Sequence, residues 1–321
     1  MKPPSVSVVI PTYNRARFLP AAVASVRAQT APCTEIVIVD DGSRDDTAAV
    51  VAALGEGIVY VRQDNAGPAA ARNHGIRVAR GDWLAFLDTD DRWRPTKLER
   101  QLAVLQRHPS VALVSADMAI EDEHGRQEVA SNFAKRGLQD FFAQLDGAPV
   151  PDAPRRLLAL NFINTSTVLV RRDVLSAPDA FDTRLRYGED LELWLRIAAA
   201  HDVACVPSVE EIRVEHSANV TKSIEPMLRG YVDMARTIRS WAGPRMADWG
   251  LDPDRYVADT LADLGYWYFA EGRRADARRV LAESLREAAS PRAAFYAVAA
   301  ALPSALVDFL RAVKTGTARA R

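Results

Sequence analysis

The sequence predicts an α/β protein, with a mixed, mostly parallel sheet flanked by helices and a purely helical region after it. Three observations carry this. Apolar, β-branched runs alternate with helical patterns through the first third of the chain, which is how a parallel sheet covered on both faces reads. Each run ends in a polar cluster, where the carboxyl ends of such strands meet ligands. From about Pro226 the strand-like runs stop and Ala, Arg and Leu dominate. The 321 residues suit a large domain and a smaller one, placed at 1–225 and 226–321.

The elements follow in order. Ser5 to Ile10 is β-branched and ends at Pro11, so it reads as a first strand, with Pro11 to Asn14 as a turn. Arg15 to Gln29 sets Phe18, Leu19, Ala22, Val23 and Val26 at helical spacing. Glu35 to Val39 is a second strand. Asp40-Asp41-Gly42-Ser43 follows at once, and Ser43 with Asp46 resembles a capping box opening a helix through Ala53. Ile58 to Arg62 is a third strand, and a loop through Pro68 leads into a helix ending at Ala79. Trp83 to Leu87 is the fourth strand, and Pro95 to Arg107 a helix with Pro near its start.

Val111 to Ile120 reads as a strand, and Glu121 to Arg126 as a polar turn around Gly125. The stretch from Ala130 to Pro154 reads as irregular, a loop over the site. Arg155 to Phe162 looks helical and Thr165 to Val170 extended. Gly188-Glu189-Asp190 opens a helix whose Trp194 belongs to the core, Val203 to Val206 is a further strand, and Arg213 to Thr221 is a polar segment holding His216 and Asn219. Leu261 to Ala289 reads as a helical hairpin turning at Gly272, with the aromatic, Ala and Pro order of a single tetratricopeptide-type unit. Ala301 to Lys314 forms an amphipathic helix with two placements, against that hairpin or on an anionic membrane surface.

Composition narrows the function classes. A net charge of −1 argues against a nucleic-acid partner. Cys33 and Cys205 have no metal-ligand spacing and suit a reducing compartment. No leader pattern precedes Val6 and no apolar run is long enough to span a bilayer, so the expectation is a cytoplasmic protein, with peripheral membrane contact only through the C-terminal helices.

The stretch around which the rest is organised is Gly81 to Asp91. A buried strand runs straight into Asp88, Asp90 and Asp91. Carboxylates this close repel one another, and burying them unpaired is costly. A hard divalent cation, Mg²⁺ or Mn²⁺, relieves both problems and is usually held by one or two carboxylates plus substrate phosphates. A solvated acidic turn ahead of Pro95 is the plainer alternative. What favours a site is convergence: Pro11–Asn14, Asp40–Ser43 and Asp88–Asp91 all fall at the same sheet edge, where one ligand touches all three.

The motifs VSVVIPTYNR, EIVIVDDGSRDDT, NAGPAAARNHGIRVARGDWLAFLDTDD and GEDLELWLR, taken in series, resemble the inverting glycosyltransferases of family 2, which have the GT-A fold. The resemblance covers about residues 5 to 220 and stops before the helical region. It implies a nucleotide-sugar donor, UDP favoured, a divalent cation, and a glycan or lipid-linked acceptor. By position it implies that Pro11 and Tyr13 line the base pocket, that Asp41 accepts a hydrogen bond from the base, and that Asp40 shapes the same turn. Arg72 would face the donor phosphates. Asp88 and Asp90 would form the DxD pair, with Asp90 or Asp91 as the direct metal contact and His216 near the metal or diphosphate. Asp190 would be the general base. A carboxylate suits that role when it takes the acceptor's proton late, as the new bond forms.

A different class of function is a GT-A domain that has lost turnover and serves as a scaffold, with the helical tail holding a partner. The presence of Asp41, Asp88, Asp90, Asp91 and Asp190 favours the enzyme. A nucleotidyltransferase ranks lower, because the turn at Pro11–Asn14 lacks the glycines that cradle a triphosphate.

Overall fold

A computed structural model of the protein describes residues 4–175, 179–216 and 223–302. The chain divides into two compact units, Met1–Lys222 and Ser223–Arg321.

The first unit begins with strands and helices in strict alternation: β1 (Val6–Thr12), α1 (Leu19–Arg27), β2 (Glu35–Asp40), α2 (Thr47–Ala53), β3 (Ile58–Arg62), α3 (Pro68–Val78) and β4 (Trp83–Phe86). β1 lies between β2 and β4, parallel to both, and β3 continues the parallel set beyond β2. Val8, Val9 and Ile10 are all fully buried, since helices cover both faces of the sheet. On one face α1 packs Leu19, Ala22, Val23 and Val26 against Val8, Ile10 and Ile38. On the other, α3 comes so close to β1 that a Cβ on Gly75 would stand 2.3 Å from Val9 Cγ1. Glycine is what lets this helix lie flat on the sheet.

The chain then supplies β5 (Arg92–Trp93), α4 (Lys97–Arg107), β6 (Val111–Asp122), β7 (Gln127–Val129), α5 (Asn132–Lys135), α6 (Gln139–Leu145), α7 (Ala153–Ala159), β8 (Leu169–Arg171), α8 (Glu189–Ala198) and β9 (Asp202–Glu215). The sheet order is β3-β2-β1-β4-β8-β6-β9-β5, with β7 paired to β6. β8 runs antiparallel to β4 and β6, β9 is parallel to β6, and β5 is antiparallel to β9. The sheet is thus mixed, with its parallel half first in sequence.

Several local expectations change. β1 continues through Pro11 to Thr12, because Pro11 needs no N–H to sit opposite Val39 at the strand's end. The capping box does not form: α2 starts at Thr47, and Ser43 Oγ accepts the Asn14 N–H (2.9 Å) instead of closing the helix. Residues 130–154 are ordered by α5 and α6, whose Phe133 and Phe142 are buried and stacked at 4.5 Å between ring centres. The many Gly and Pro in this stretch punctuate short helices. Thr165–Thr167 is a 3₁₀ turn, and the strand begins only at Leu169. β9 runs on to Glu215, past the expected stop at Val206, because it keeps pairing with β6 as far as Asp122 opposite Glu215, and Glu210 and Glu211 are buried along the way. Asn219 lies outside the described residues.

The second unit contains α9 (Ile224–Met246), α10 (Pro253–Ala270), α11 (Arg274–Glu287) and α12 (Pro291–Ala301). The hairpin forms as expected, turning at Gly272, where φ is 74°. Gly265 lets its two helices touch, since a Cβ there would be 2.6 Å from Leu281 Cγ. α9 packs along α10 and was not foreseen. The predicted helix at 301–314 lies outside the described residues beyond Leu302.

Candidate active site

The turns after β1 and β2 are stitched into one structure. Asn14 adopts φ 52°, its N–H donates to Ser43 Oγ, and its Oδ1 accepts the Arg44 N–H (2.8 Å). Asp45 Oδ2 accepts the Ala16 N–H at 3.0 Å. Between them Tyr13 is left 43% exposed beside the half-buried Pro11. Asp40 is buried beneath this turn. Its Oδ1 accepts the Ser43 N–H (2.7 Å) and its Oδ2 the Tyr60 hydroxyl (2.7 Å). Burial and the Asp40 carboxylate together push the Tyr60 phenol up to about 12. Asp41, 4% exposed, ties in the next loop: Oδ1 accepts from Gln63 Nε2 (2.7 Å) and the Ala66 N–H (2.9 Å), and Oδ2 accepts the Gly67 N–H (2.8 Å).

The turn after β4 is built differently. Thr89 anchors it by donating to the Pro11 carbonyl, and the Asp91 N–H donates to the Asp88 carbonyl (3.0 Å). Asp91 points inward and is 6% exposed. Its Oδ2 accepts the Ser166 hydroxyl (2.7 Å) and its Oδ1 the Val214 N–H (3.3 Å). Burial, then the charges of Asp90 and Asp88, raise its carboxyl to about 7. Asp90 has an 18% exposed side chain, and its Oδ2 lies 2.9 Å from His216 Nε2. His216 is itself buried, its ring stacked at 4.9 Å on Phe18. The structure therefore separates two neighbours that sequence left equivalent: Asp90 faces the histidine and Asp91 faces the interior.

Arg72, expected to face the donor, is 6% exposed and spans two carboxylates. Nη2 donates to Asp88 Oδ1 (2.8 Å) and Nη1 to Glu189 Oε1 (2.9 Å). It thereby connects α3, the acidic turn and the first residue of α8. Glu189, overlooked in the sequence beside the more familiar Asp190, is the buried member of this motif. Burial and the Asp190 charge raise its carboxyl to about 7, against the pull of Arg72. Asp190, in the same first turn, accepts the Thr165 hydroxyl on Oδ2 (3.1 Å) and the Leu191 N–H on Oδ1 (2.7 Å). Trp194 is fully buried against Phe86 and Phe181 and is core.

Sequence reasoning also missed what lies behind Asp91. Glu211 is completely buried on β9, where no N–H or hydroxyl donor meets its oxygens and its carboxyl lies against that of Asp91. Burial and the nearby Asp91 push its carboxyl well above the usual range. Lys97 is buried too; desolvation lowers its ammonium to about 7 although Glu211 and Glu210 favour the charge. Its Nζ lies 4.0 Å from the Trp93 ring centre and donates to Gln101 Oε1 (2.9 Å). Only the fold brings these residues together, so no local pattern announces them.

The donor set around Asp90 suits a hard divalent cation in part. Asp90 and His216 supply a carboxylate and an imidazole, and no group of three or more His, Cys, Asp or Glu able to hold a metal occurs among the described residues. A cation bound here must draw further ligands from a substrate, which is the habit of Mg²⁺ and Mn²⁺ at diphosphates. The acid-rich, donor-poor surroundings of Asp91 also call for positive charge.

Residues 7–165 match the family model of glycosyl transferase family 2. The chain belongs to glycosyltransferase family 2. It is 28% identical over 237 residues to an uncharacterised glycosyltransferase of Rickettsia typhi, spanning 71% of this chain and 72% of that one. Staphylococcus aureus TarS in complex with UDP-GlcNAc superposes with a TM-score of 0.64 at 19% identity, covering 98% of this chain and 88% of the other. The mannosyltransferase PcManGT of Pyrobaculum calidifontis, in complex with GDP-Man and Mn²⁺, superposes with a TM-score of 0.60 at 21% identity, covering 98% and 84%. The mixed sheet with its flanking helices is the GT-A fold, followed by C-terminal helices, and the protein is a glycosyltransferase. Among the described residues, no helix of this glycosyltransferase is long and apolar enough to cross a membrane.

Proposed function

We propose that this glycosyltransferase transfers a sugar, with inversion, from a nucleoside-diphosphate sugar to an acceptor hydroxyl, and that it uses a divalent cation. The observation that carries the reading is the convergence of three differently finished turns at one sheet edge. One is stitched and bears an exposed aromatic ring, one is acid-rich and faces a histidine, and one opens a helix with Glu189 and Asp190.

In this reading Tyr13 and Pro11 receive the base, and Asp41, with a lone pair of Oδ2 still unused, accepts from it. Asp40 and Asp41 hold the pocket's floor by their contacts to Ser43, Gln63 and the loop at Ala66 and Gly67. Asp88 stays near the donor while its other oxygen is fixed by Arg72, which acts as a strut and lends its charge through that contact. Asp90 and His216 would hold Mn²⁺ or Mg²⁺ together with the diphosphate. When bound, the cation offsets the negative charge that grows on the departing nucleoside diphosphate. Asp190 takes the proton of the acceptor hydroxyl as its oxygen attacks the anomeric carbon and the bond to the diphosphate breaks. One displacement of this kind inverts the configuration. The UDP-GlcNAc and GDP-Man complexes of the two similar structures support a nucleotide-sugar donor, and Mn²⁺ in one of them supports the cation. An acceptor that is itself a glycan or lipid-linked sugar fits the family.

Calorimetric titration of UDP, GDP and dTDP, with and without Mn²⁺, tests the reading on wild type and Asp90→Asn. One nucleotide should bind tightly only with the cation, and the variant should weaken it at least tenfold by removing an anionic ligand. Asp190→Asn should bind nucleotide normally and lose transfer by roughly a hundredfold or more. If no nucleotide binds wild type, the domain is a scaffold and the reading is wrong.

A further inference from the structure

The 3₁₀ turn Thr165–Thr167 contacts both halves of the proposed chemistry. Its shape is fixed from several sides. Asn164 Oδ1 accepts the Ser166 N–H (2.9 Å), Gln101 Nε2 donates to the Thr167 carbonyl (2.7 Å), and Trp93 Nε1 donates to the Ser166 carbonyl (2.7 Å). All three turn residues are buried. From this locked turn two successive hydroxyls leave for different sites. Thr165 Oγ1 donates to Asp190 Oδ2 at 3.1 Å. Ser166 Oγ donates to Asp91 Oδ2 at 2.7 Å and accepts the Asp88 N–H at 3.0 Å.

A hydroxyl has one proton to give. Ser166 spends its proton on Asp91, so the Asp88 N–H can only be received by its lone pairs, and both ends of the acidic turn are clamped by one oxygen. Asp190 has its other oxygen on the Leu191 N–H, so that contact and the Thr165 hydroxyl together fix how the carboxylate is rotated about its last bond. A base that must meet one hydroxyl in line with one anomeric carbon depends on that rotation, because small misplacements are expensive.

We propose that Thr165 and Ser166 are positioning residues, and that this one turn sets the distance and orientation between the base carboxylate and the acidic turn that receives the donor. The inference rests on the assignment of Asp190 as base and of the Asp88–Asp91 turn as donor site. It makes an asymmetric prediction that a merely structural turn would not. Loss of the Thr165 hydroxyl disturbs turnover, and loss of the Ser166 hydroxyl disturbs binding.

The experiment pairs two readouts. The first is release of UDP from UDP-N-acetylglucosamine and of GDP from GDP-mannose, with water as acceptor. The second is calorimetric binding of UDP and GDP with Mn²⁺. Thr165→Val keeps the shape and removes the donor; its kcat should fall about tenfold, with KM and nucleotide affinity within about twofold, and Thr165→Ser should restore the rate. Ser166→Ala should weaken Mn²⁺-dependent nucleotide binding about tenfold, and Ser166→Cys, a weak donor of similar size, should fall between it and wild type. Should water prove too poor an acceptor, a crystal structure of Thr165→Val reads the same point: the Asp190 carboxylate turns in that variant and not in Thr165→Ser.

A Thr165→Val enzyme with the wild-type rate, or with an unturned Asp190, overturns the first half. Unchanged binding in a folded Ser166→Ala or Ser166→Cys overturns the second. The same mixed loss of rate and binding in both variants reduces the turn to ordinary structure. Full turnover by Asp190→Asn is a separate failure, of the base assignment itself.

Discussion

Two turns at the same sheet edge, one after β2 and one after β4, bury an aspartate to nearly the same degree and treat it in opposite ways. Asp41 meets three N–H donors, from Gln63, Ala66 and Gly67. Asp91 meets one hydroxyl and one longer N–H contact, and its surroundings are Asp88, Asp90 and Glu211. Burial alone does not say what a carboxylate is for. Donors aimed at a carboxylate by the chain hold it in place and satisfy its charge, as the three N–H groups do for Asp41. Acids gathered around a carboxylate favour its protonated form, and Asp91 is accordingly raised to about 7.

The largest expected effect breaks the comparison directly. Asp41→Ala strands three half-buried donors at once and should cost about 3 kcal/mol of stability in urea unfolding. Asp91→Asn removes a charge from among other acids and should change stability by only about 1 kcal/mol in the absence of cation. Equal losses would mean that the two turns are not different in kind.

A somewhat smaller effect sharpens it. Mn²⁺ with nucleotide at about a hundred times its Kd should raise unfolding stability by roughly 2.7 kcal/mol. Asp90→Asn should lose most of that gain, whereas Asp40→Asn, in the donor-rich turn, should keep its dependence on the cation. A gain from Mn²⁺ that survives in Asp90→Asn would move the cation elsewhere.

The smallest effect is a pH slope. Asp91 is raised from its ordinary range to about 7 in the folded chain, and Glu211 is raised with it. Between those values the unfolded chain has released protons that the folded chain still holds. Their contribution is therefore complete at low pH and is lost as pH rises through about 7. Cation-free protein should lose stability from pH 5 to 7, by at most about 1.4 kcal/mol per unit for each proton. Glu211→Gln and Asp91→Asn should each flatten that slope. Lys97, lowered to about 7, acts in the opposite sense, since stability from this group rises above pH 7 as the unfolded lysine loses its proton. A slope unaltered by either acid substitution would show that the pair is not the cause.

The parallel half of the sheet was readable because its evidence is local. A run such as Glu35–Val39 carries its burial in its own residues, and the acids that follow it announce a strand end. The mixed half was not. Arg92–Trp93 is too short to show a period, and the later part of β9 hides Glu210 and Glu211 inside a stretch that looks solvated. Ser43 spaced from Asp46 looked like a helix cap, and a tertiary partner, the Asn14 N–H, claimed its hydroxyl first.

By itself the sequence determined the alternating elements, the sheet edge where the polar clusters fall, the family, and the hairpin turning at Gly272. The family follows from the resemblance of four motifs in series, and the others from spacing along the chain. Only the tertiary structure decided that Asp90 faces His216 while Asp91 turns inward, that Arg72 bridges Asp88 and Glu189, and that Thr165 and Ser166 reach the base and the acidic turn from one backbone turn. These pairs are separated by up to 126 residues. A hydrogen bond depends on distance and angle in space, and the chain sets those only once β4, β8, β9 and α8 have packed.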